Sequence, residues 1–133
     1  MESLPLRLTP NADLRRTIQG VLLERDVNAA FVTGGIGSLS QARLWFAGRD
    51  EPEALDCNLE ILTLAGSISP DGAHLHMSIA DGNGRVIGGH VAYDCIVRTT
   101  VEVLIVLLPA WSFSREPDPG TGYRELVIRE SGS

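Results

Sequence analysis

The sequence predicts an α+β fold, a mostly antiparallel β-sheet with one flanking helix, in a single domain spanning residues 1–133. Three observations point there. Only one segment carries helical periodicity. The rest divides into short apolar stretches, several alternating with period two, separated by Gly, Pro, Asn and Asp. A chain of 133 residues is long enough for one core and too short for two.

Taken in order, Leu4–Leu8 reads as a first strand. The helix is expected near residues 11–25, where Leu14, Ile18, Val21 and Leu22 follow the i, i+4, i+7, i+8 spacing and Arg15, Arg16, Gln19 and Glu24 take the opposite face. Thr9-Pro10-Asn11 offers a cap and a first-turn proline, and Asp13 suits the positive end of the dipole. Strands follow at Ala29–Thr33, Gln41–Phe46, Asn58–Ser69, His74–Ala80, Arg85–Tyr93, Thr99–Leu108 and Arg124–Arg129. Between the first two lies Gly34-Gly35-Ile36-Gly37-Ser38. A dinucleotide-binding turn would need a helix straight after these glycines, and Leu39–Phe46 alternates like a strand instead. The segment is therefore read as a bend or bulge where backbones approach closely. The acidic stretch 48–53 and the proline-containing Arg115–Gly122 read as surface loops.

All three histidines, His74, His76 and His90, fall within seventeen residues, on two arms flanking Asp81-Gly82-Asn83-Gly84. The glycines and asparagine supply the positive-φ positions of a tight β-hairpin. A three-residue loop at 82–84 pairs Asp81 with Arg85 and sets His76 opposite His90, with His74 on the same face two positions along. Three neutral imidazole nitrogens on one sheet make a facial site for zinc or a similar divalent metal ion, with a fourth position open. The reading depends on register. A two-residue loop would put His90 opposite Leu75 and send it to the other face, leaving the histidines as outward polar positions of an ordinary hairpin.

Charge narrows the partners. The formal net charge is −6, every basic residue is an arginine, and acidic residues interleave the arginines. That balance lacks the basic stripe that displaces counterions from phosphates, and it argues against DNA binding by the isolated chain. Cys57 and Cys95 sit in strand-like stretches without a C-x-x-C pattern, where they read as packing residues, and MESLPLRLTP lacks the features of a signal peptide. The expected location is cytoplasmic. The apolar run Val101–Trp111 is interrupted by Glu102 and Pro109 and is too short for a membrane span. With 44% apolar residues and a mean hydropathy of +0.08, the chain leans toward an oligomer that buries part of its surface.

Several blocks together resemble the plants and prokaryotes conserved (PPC) domain family. They are Pro10-x-x-Asp13, Gly34-x-Ile36-Gly37-Ser38, Leu59-Glu60-Ile61-Leu62-x-Leu64-x-Gly66-x-Ile68, Thr100-x-Glu102-Val103, Thr121-Gly122 and, most specifically, His74-Leu75-His76 through Gly84-Arg85-Val86-Ile87-Gly88-Gly89-His90. The resemblance covers the whole chain. It implies a PPC-like fold, a homotrimer, and a metal at the three histidines in prokaryotic members. Some members carry a DNA-binding label. In plant members DNA affinity comes from a separate Arg-Gly-Arg-Pro hook, which this sequence lacks. A partner-contacting segment of the plant proteins corresponds to Cys57–Leu62 without its arginine, so partner identity does not carry over.

The expected function is thus a small homotrimeric metal-binding protein acting through an unidentified protein or small-molecule partner, with no membrane role. Rival readings are a metal-dependent hydrolase, in which the metal makes hydroxide available near neutral pH, and a DNA-binding transcriptional regulator. Glu60, Glu102 and Ser78 are candidates to orient a metal-bound imidazole from behind, and either carboxylate could instead act as a base on a metal-bound water. The two carboxylates could equally pair with arginines or face solvent.

Overall fold

A computed structural model describes residues 1–132. Strand β1 (Glu2–Leu8) is followed by helix α1 (Leu14–Gly20) and a single 3₁₀ turn (Val21–Glu24). Then come β2 (Ala30–Trp45), β3 (Glu53–Leu55), β4 (Leu59–Ser69), β5 (Gly72–Ala80), β6 (Val86–Val91), β7 (Ile96–Leu107), β8 (Trp111–Pro117) and β9 (Arg124–Glu130). The expected α+β architecture is present. Seven strands form one sheet in the order β1-β7-β2-β4-β5-β6, with β3 on β2, and every pairing is antiparallel. The end of β2 also pairs with β6 through Leu44–Val91 and Trp45–His90, so β2, β4, β5 and β6 close on themselves. β8 and β9 form a separate two-stranded ribbon.

The core lies on the inner face of this sheet. Leu39, Leu44, Leu59, Leu64, Leu75, Ile79 and Ile105 are buried there, and α1 adds Leu14 and Ile18, both fully inaccessible. The expected helix is shorter at its start because Asn11 sits at φ 71°, which no right-handed helix accommodates. Asp13 is the cap instead, its carboxylate accepting the Arg16 amide at 3.0 Å. The chain then tightens into the 3₁₀ turn at Val21.

The two strands expected at Ala29–Thr33 and Gln41–Phe46 are one strand, because the glycine segment bulges without ending the ladder. Its pairing with β7 shifts register between Val32 and Gly34 and again after Gly37. Gly37 is held at φ 152°, and a Cβ there would run into the Thr100 carbonyl. Two further strands lie where loops were expected: β3 at the end of the acidic stretch and β8 across Arg115. Cys95 is buried, as a packing residue should be, whereas Cys57 is exposed in a bend before β4. Among the described residues, no helix is long and apolar enough to cross a membrane.

Candidate metal centre

The hairpin that carries the histidines has the three-residue loop. Asp81 donates its amide to the Arg85 carbonyl at 3.0 Å, and its Oδ1 accepts the amides of Asn83 and Arg85 at 2.9 and 3.0 Å. That loop sets the register of β5 and β6, in which His76 faces His90. His74 lies two residues back on the same side. Glycine is required beside His90 for a reason the sequence does not show. β6 is squeezed between β5 and the end of β2, and a Cβ on Gly89 would strike the Trp45 carbonyl.

The ring centroids are 5.0 Å apart for His74–His76, 4.9 Å for His74–His90 and 4.2 Å for His76–His90. One ligating nitrogen from each ring lies within 4.8 Å of the other two. A tetrahedral zinc ion with Zn–N bonds near 2.05 Å holds its ligand nitrogens about 3.4 Å apart, so small ring rotations would close the set. Burial is the main reason the His74 pKa falls to about 4, with the Arg115 guanidinium and then His90 and His76 adding to it. Burial also lowers His90, helped by His76 and Arg15. Neutral imidazoles are the form a metal needs, and the donor set fits a borderline divalent ion.

One contact stands in the way. Arg115 Nη2 lies 3.1 Å from His74 Nδ1 and donates a second hydrogen bond to Ser67 Oγ at 2.8 Å. Guanidinium has no acceptor, so His74 Nδ1 must spend its lone pair on this bond. A neutral imidazole has one such lone pair. Metal ligation by His74 and the Arg115 bond therefore exclude each other, whichever ring nitrogen binds the ion.

Arg115 arrives on β8, where it shares a face with Phe113. That ring is buried edge-on against Phe31, with centroids 5.7 Å apart at 85°. Asp71 steadies the strand by accepting the Arg115 amide at 2.8 Å. The histidines and this ribbon enclose a cleft of about 670 Å³, whose lining includes Arg15, Trp45, Arg49, Tyr123 and Arg124.

Sequence reasoning found β9, expected at Arg124–Arg129, but missed Arg115 and its strand β8. The alternation Trp111, Phe113, Arg115 against Ser112, Ser114, Glu116 was a signal of a strand, masked by Pro117 and Pro119. The candidates behind the imidazoles stand elsewhere. Glu60 pairs with Ala80, four residues along β5 from His76, which is about 13 Å. Glu102 is on β7, three strands from β5 and so about 14 Å across the sheet, opposite Arg7 and Ile36. Neither lines the cleft. Ser78 does share the face of His76, but its hydroxyl is engaged with Thr63 Oγ1 at 2.6 Å.

Comparison with known proteins agrees with the fold. The bifunctional protein GlmU of two Synechococcus strains is 44% identical over 125 and 126 residues, which is 94% and 95% of this chain but only 20% of those proteins. The chain thus spans about a fifth of the length of these curated relatives. Among solved structures, a hypothetical protein from Salmonella cholerae-suis matches at TM-score 0.94 and 35% identity, over 98% of this chain and 94% of that one. A metal-containing protein from Archaeoglobus fulgidus matches at TM-score 0.83 and 27% identity, over 96% and 94% of the two chains. A candidate DNA-binding protein from Ralstonia eutropha matches at 0.80 and 22%, over 94% and 90%, a likeness of fold alone. The model of the Plants and Prokaryotes Conserved (PCC) domain matches residues 1–109, and the chain belongs to that family, the one its histidine and glycine block resembles.

Proposed function

We propose that this chain is a metal-binding domain that holds one zinc-class divalent ion on His74, His76 and His90, works as a homotrimer, and acts by binding a ligand at the position the three imidazoles leave open. The observation that carries this reading is the convergence of three imidazoles, set by hairpin register, in the lining of a cleft large enough for a small molecule. The Archaeoglobus protein, with the same fold and described as metal-containing, supports it. When bound, the ion supplies a Lewis acid and an open coordination position. The chain supplies the rest: a rigid hairpin to hold the rings, glycines that let β6 approach its neighbours, and guanidinium groups above the rings. Glu60 and Glu102 stand away from the cleft, and of the two carboxylates that line it Asp71 accepts the Arg115 amide, so Glu125 is the carboxylate left to a hydrolytic reading. The acidic charge weighs against DNA.

Elemental analysis of protein purified without chelator, then reloaded with zinc, provides the test. Wild type should hold close to one ion per chain. His76→Ala should lose most of it, because two imidazoles bind zinc far more weakly than three. A His74/His76/His90 triple alanine variant that still held one ion per chain would end the proposal.

A further inference from the structure

We infer that the cleft above the three histidines receives a small organic anion, a carboxylate or a phosphate monoester, and that Arg115 couples its binding to metal loading. This rests on the metal reading above, but its argument is separate and begins with charge. The chain has 17 acidic residues against 11 arginines. Nevertheless Arg15, Arg49, Arg115 and Arg124 all line this one cleft, against two carboxylates, Asp71 and Glu125. Asp71 is already engaged by the Arg115 amide.

Among the described residues, none of these four guanidiniums has a carboxylate within 4.0 Å. Ion pairs among the described residues instead use Arg16, Arg25, Arg43 and Arg129. Neutral groups hold the cleft arginines instead. Arg15 donates to Gln19 Oε1 at 3.1 Å and lies over the Tyr93 ring, and Arg124 donates to the Arg115 carbonyl at 2.6 Å. Neutral acceptors orient a guanidinium without cancelling its charge. Four guanidiniums against two carboxylates leave an excess of positive charge in a concave site, which focuses a positive potential inside a molecule whose net charge is negative. Trp45 and Tyr123 in the same lining offer flat apolar surface for the body of the ligand.

Arg115 links the anion to the metal through the single lone pair of His74. Without metal, that lone pair holds the guanidinium down on the imidazole. Ligation of a metal by His74 removes the acceptor and adds positive charge beside Arg115, so the guanidinium is freed into the cleft. Its planar fork of N–H donors then suits the two oxygens of a carboxylate or phosphate. Metal should therefore raise anion affinity, and by linkage anion should raise metal affinity by the same factor. Arg115 and Arg124 come from the β8–β9 ribbon, beyond the residues 1–109 that the family model covers.

The test uses benzoate and phenylphosphonate as probes, with benzamide as the uncharged counterpart, followed by isothermal titration calorimetry on the zinc-loaded and chelator-treated chain of residues 1–133. Both anions should bind the loaded protein at least about tenfold more tightly than benzamide, and the chelated protein about tenfold more weakly than the loaded one. Arg124→Gln should weaken the anions while leaving zinc affinity unchanged in competition with a chromophoric chelator. Arg115→Gln carries the decisive signature: anion affinity falls while zinc affinity rises, because a competitor for His74 is gone. A residue with a merely structural role would weaken both. Benzamide binding as tightly as benzoate would overturn the anion site, and an Arg115→Gln chain with weakened or unchanged zinc affinity would overturn the coupling. If wild type takes up no zinc in the chelator competition, the metal reading and the coupling fail before any anion is added. Salt-sensitive benzoate binding that Arg124→Gln abolishes would then still uphold the anion site.

Discussion

Protonating His74 would place a charge at a half-buried position beside the Arg115 guanidinium and two other imidazoles, which is why its pKa falls to about 4. In the unfolded chain the same ring titrates near 6.5. Between those values the unfolded state binds a proton that the folded state refuses, so the metal-free fold loses stability as pH drops from about 6.5 toward 4. Urea unfolding of chelated protein at pH 7, 5.5 and 4.5 should show this fall, and His74→Gln should fall less steeply over the same range. Parallel pH profiles for the two proteins would show that burial and Arg115 do not act on His74 as described. Cys95 is the opposite case. Burial pushes its thiol up to about 11, where it stays neutral and hydrogen-bonded to the Arg43 backbone, a packing group rather than a nucleophile.

At the scale of elements, the site is a meeting of the β5–β6 hairpin, which sets the imidazoles, with the β8–β9 ribbon, which sets the arginines. The ribbon is the weaker of the two. Among the described residues no ladder joins it to the main sheet, its one backbone bridge being Asn28–Ser112 just before β2, and a two-stranded ribbon has little stability of its own. Phe113, 4% exposed and edge-on to Phe31, is its principal anchor. Phe113→Ala should cost about 3 kcal/mol of ribbon docking. Hydrogen exchange should then speed up across β8 and β9 while β2 and β7 keep their protection. Equal acceleration in all four strands would mean that the ribbon is part of the global unit and not a separately docked layer.

For the whole molecule, the outward face of the sheet carries exposed apolar side chains beside the Glu102–Arg7 pair of positions. Ile36 is 55% exposed, Leu62 46% and Leu104 43%, on strands β2, β4 and β7, which lie side by side. Burying such a face in a closed assembly would account for the surplus hydropathy without leaving a surface open to aggregation. The family resemblance implies three copies, so light scattering at micromolar concentration should return three times the 14.3 kDa chain mass. Ile36→Glu, which adds a charge in the middle of that face, should shift the mass toward that of one chain. A wild-type monomer would refute the assembly.

Local chemistry in the chain determined a good part of this. The hairpin register follows from Gly82-Asn83-Gly84 and the Asp81 side chain, all within four residues of one another, and with it the opposition of His76 and His90. Period-two patterning located most strands because one face of each is buried, and the 3.6-residue spacing located α1 for the same reason. Its ends were less legible, since Asn11 and Asp13 both favour a cap and only the backbone geometry chose Asp13. What no local pattern could decide was which distant residues meet the histidines. Arg115 reaches His74 from 41 residues away because Phe113 docks its strand on Phe31, while Glu60 and Glu102, equally suggestive in sequence, are carried off by the β4 register and the strand order. Strand alternation says which face a side chain takes. Only the order and register of the strands say what stands beside it there, because those depend on contacts between segments far apart in the chain.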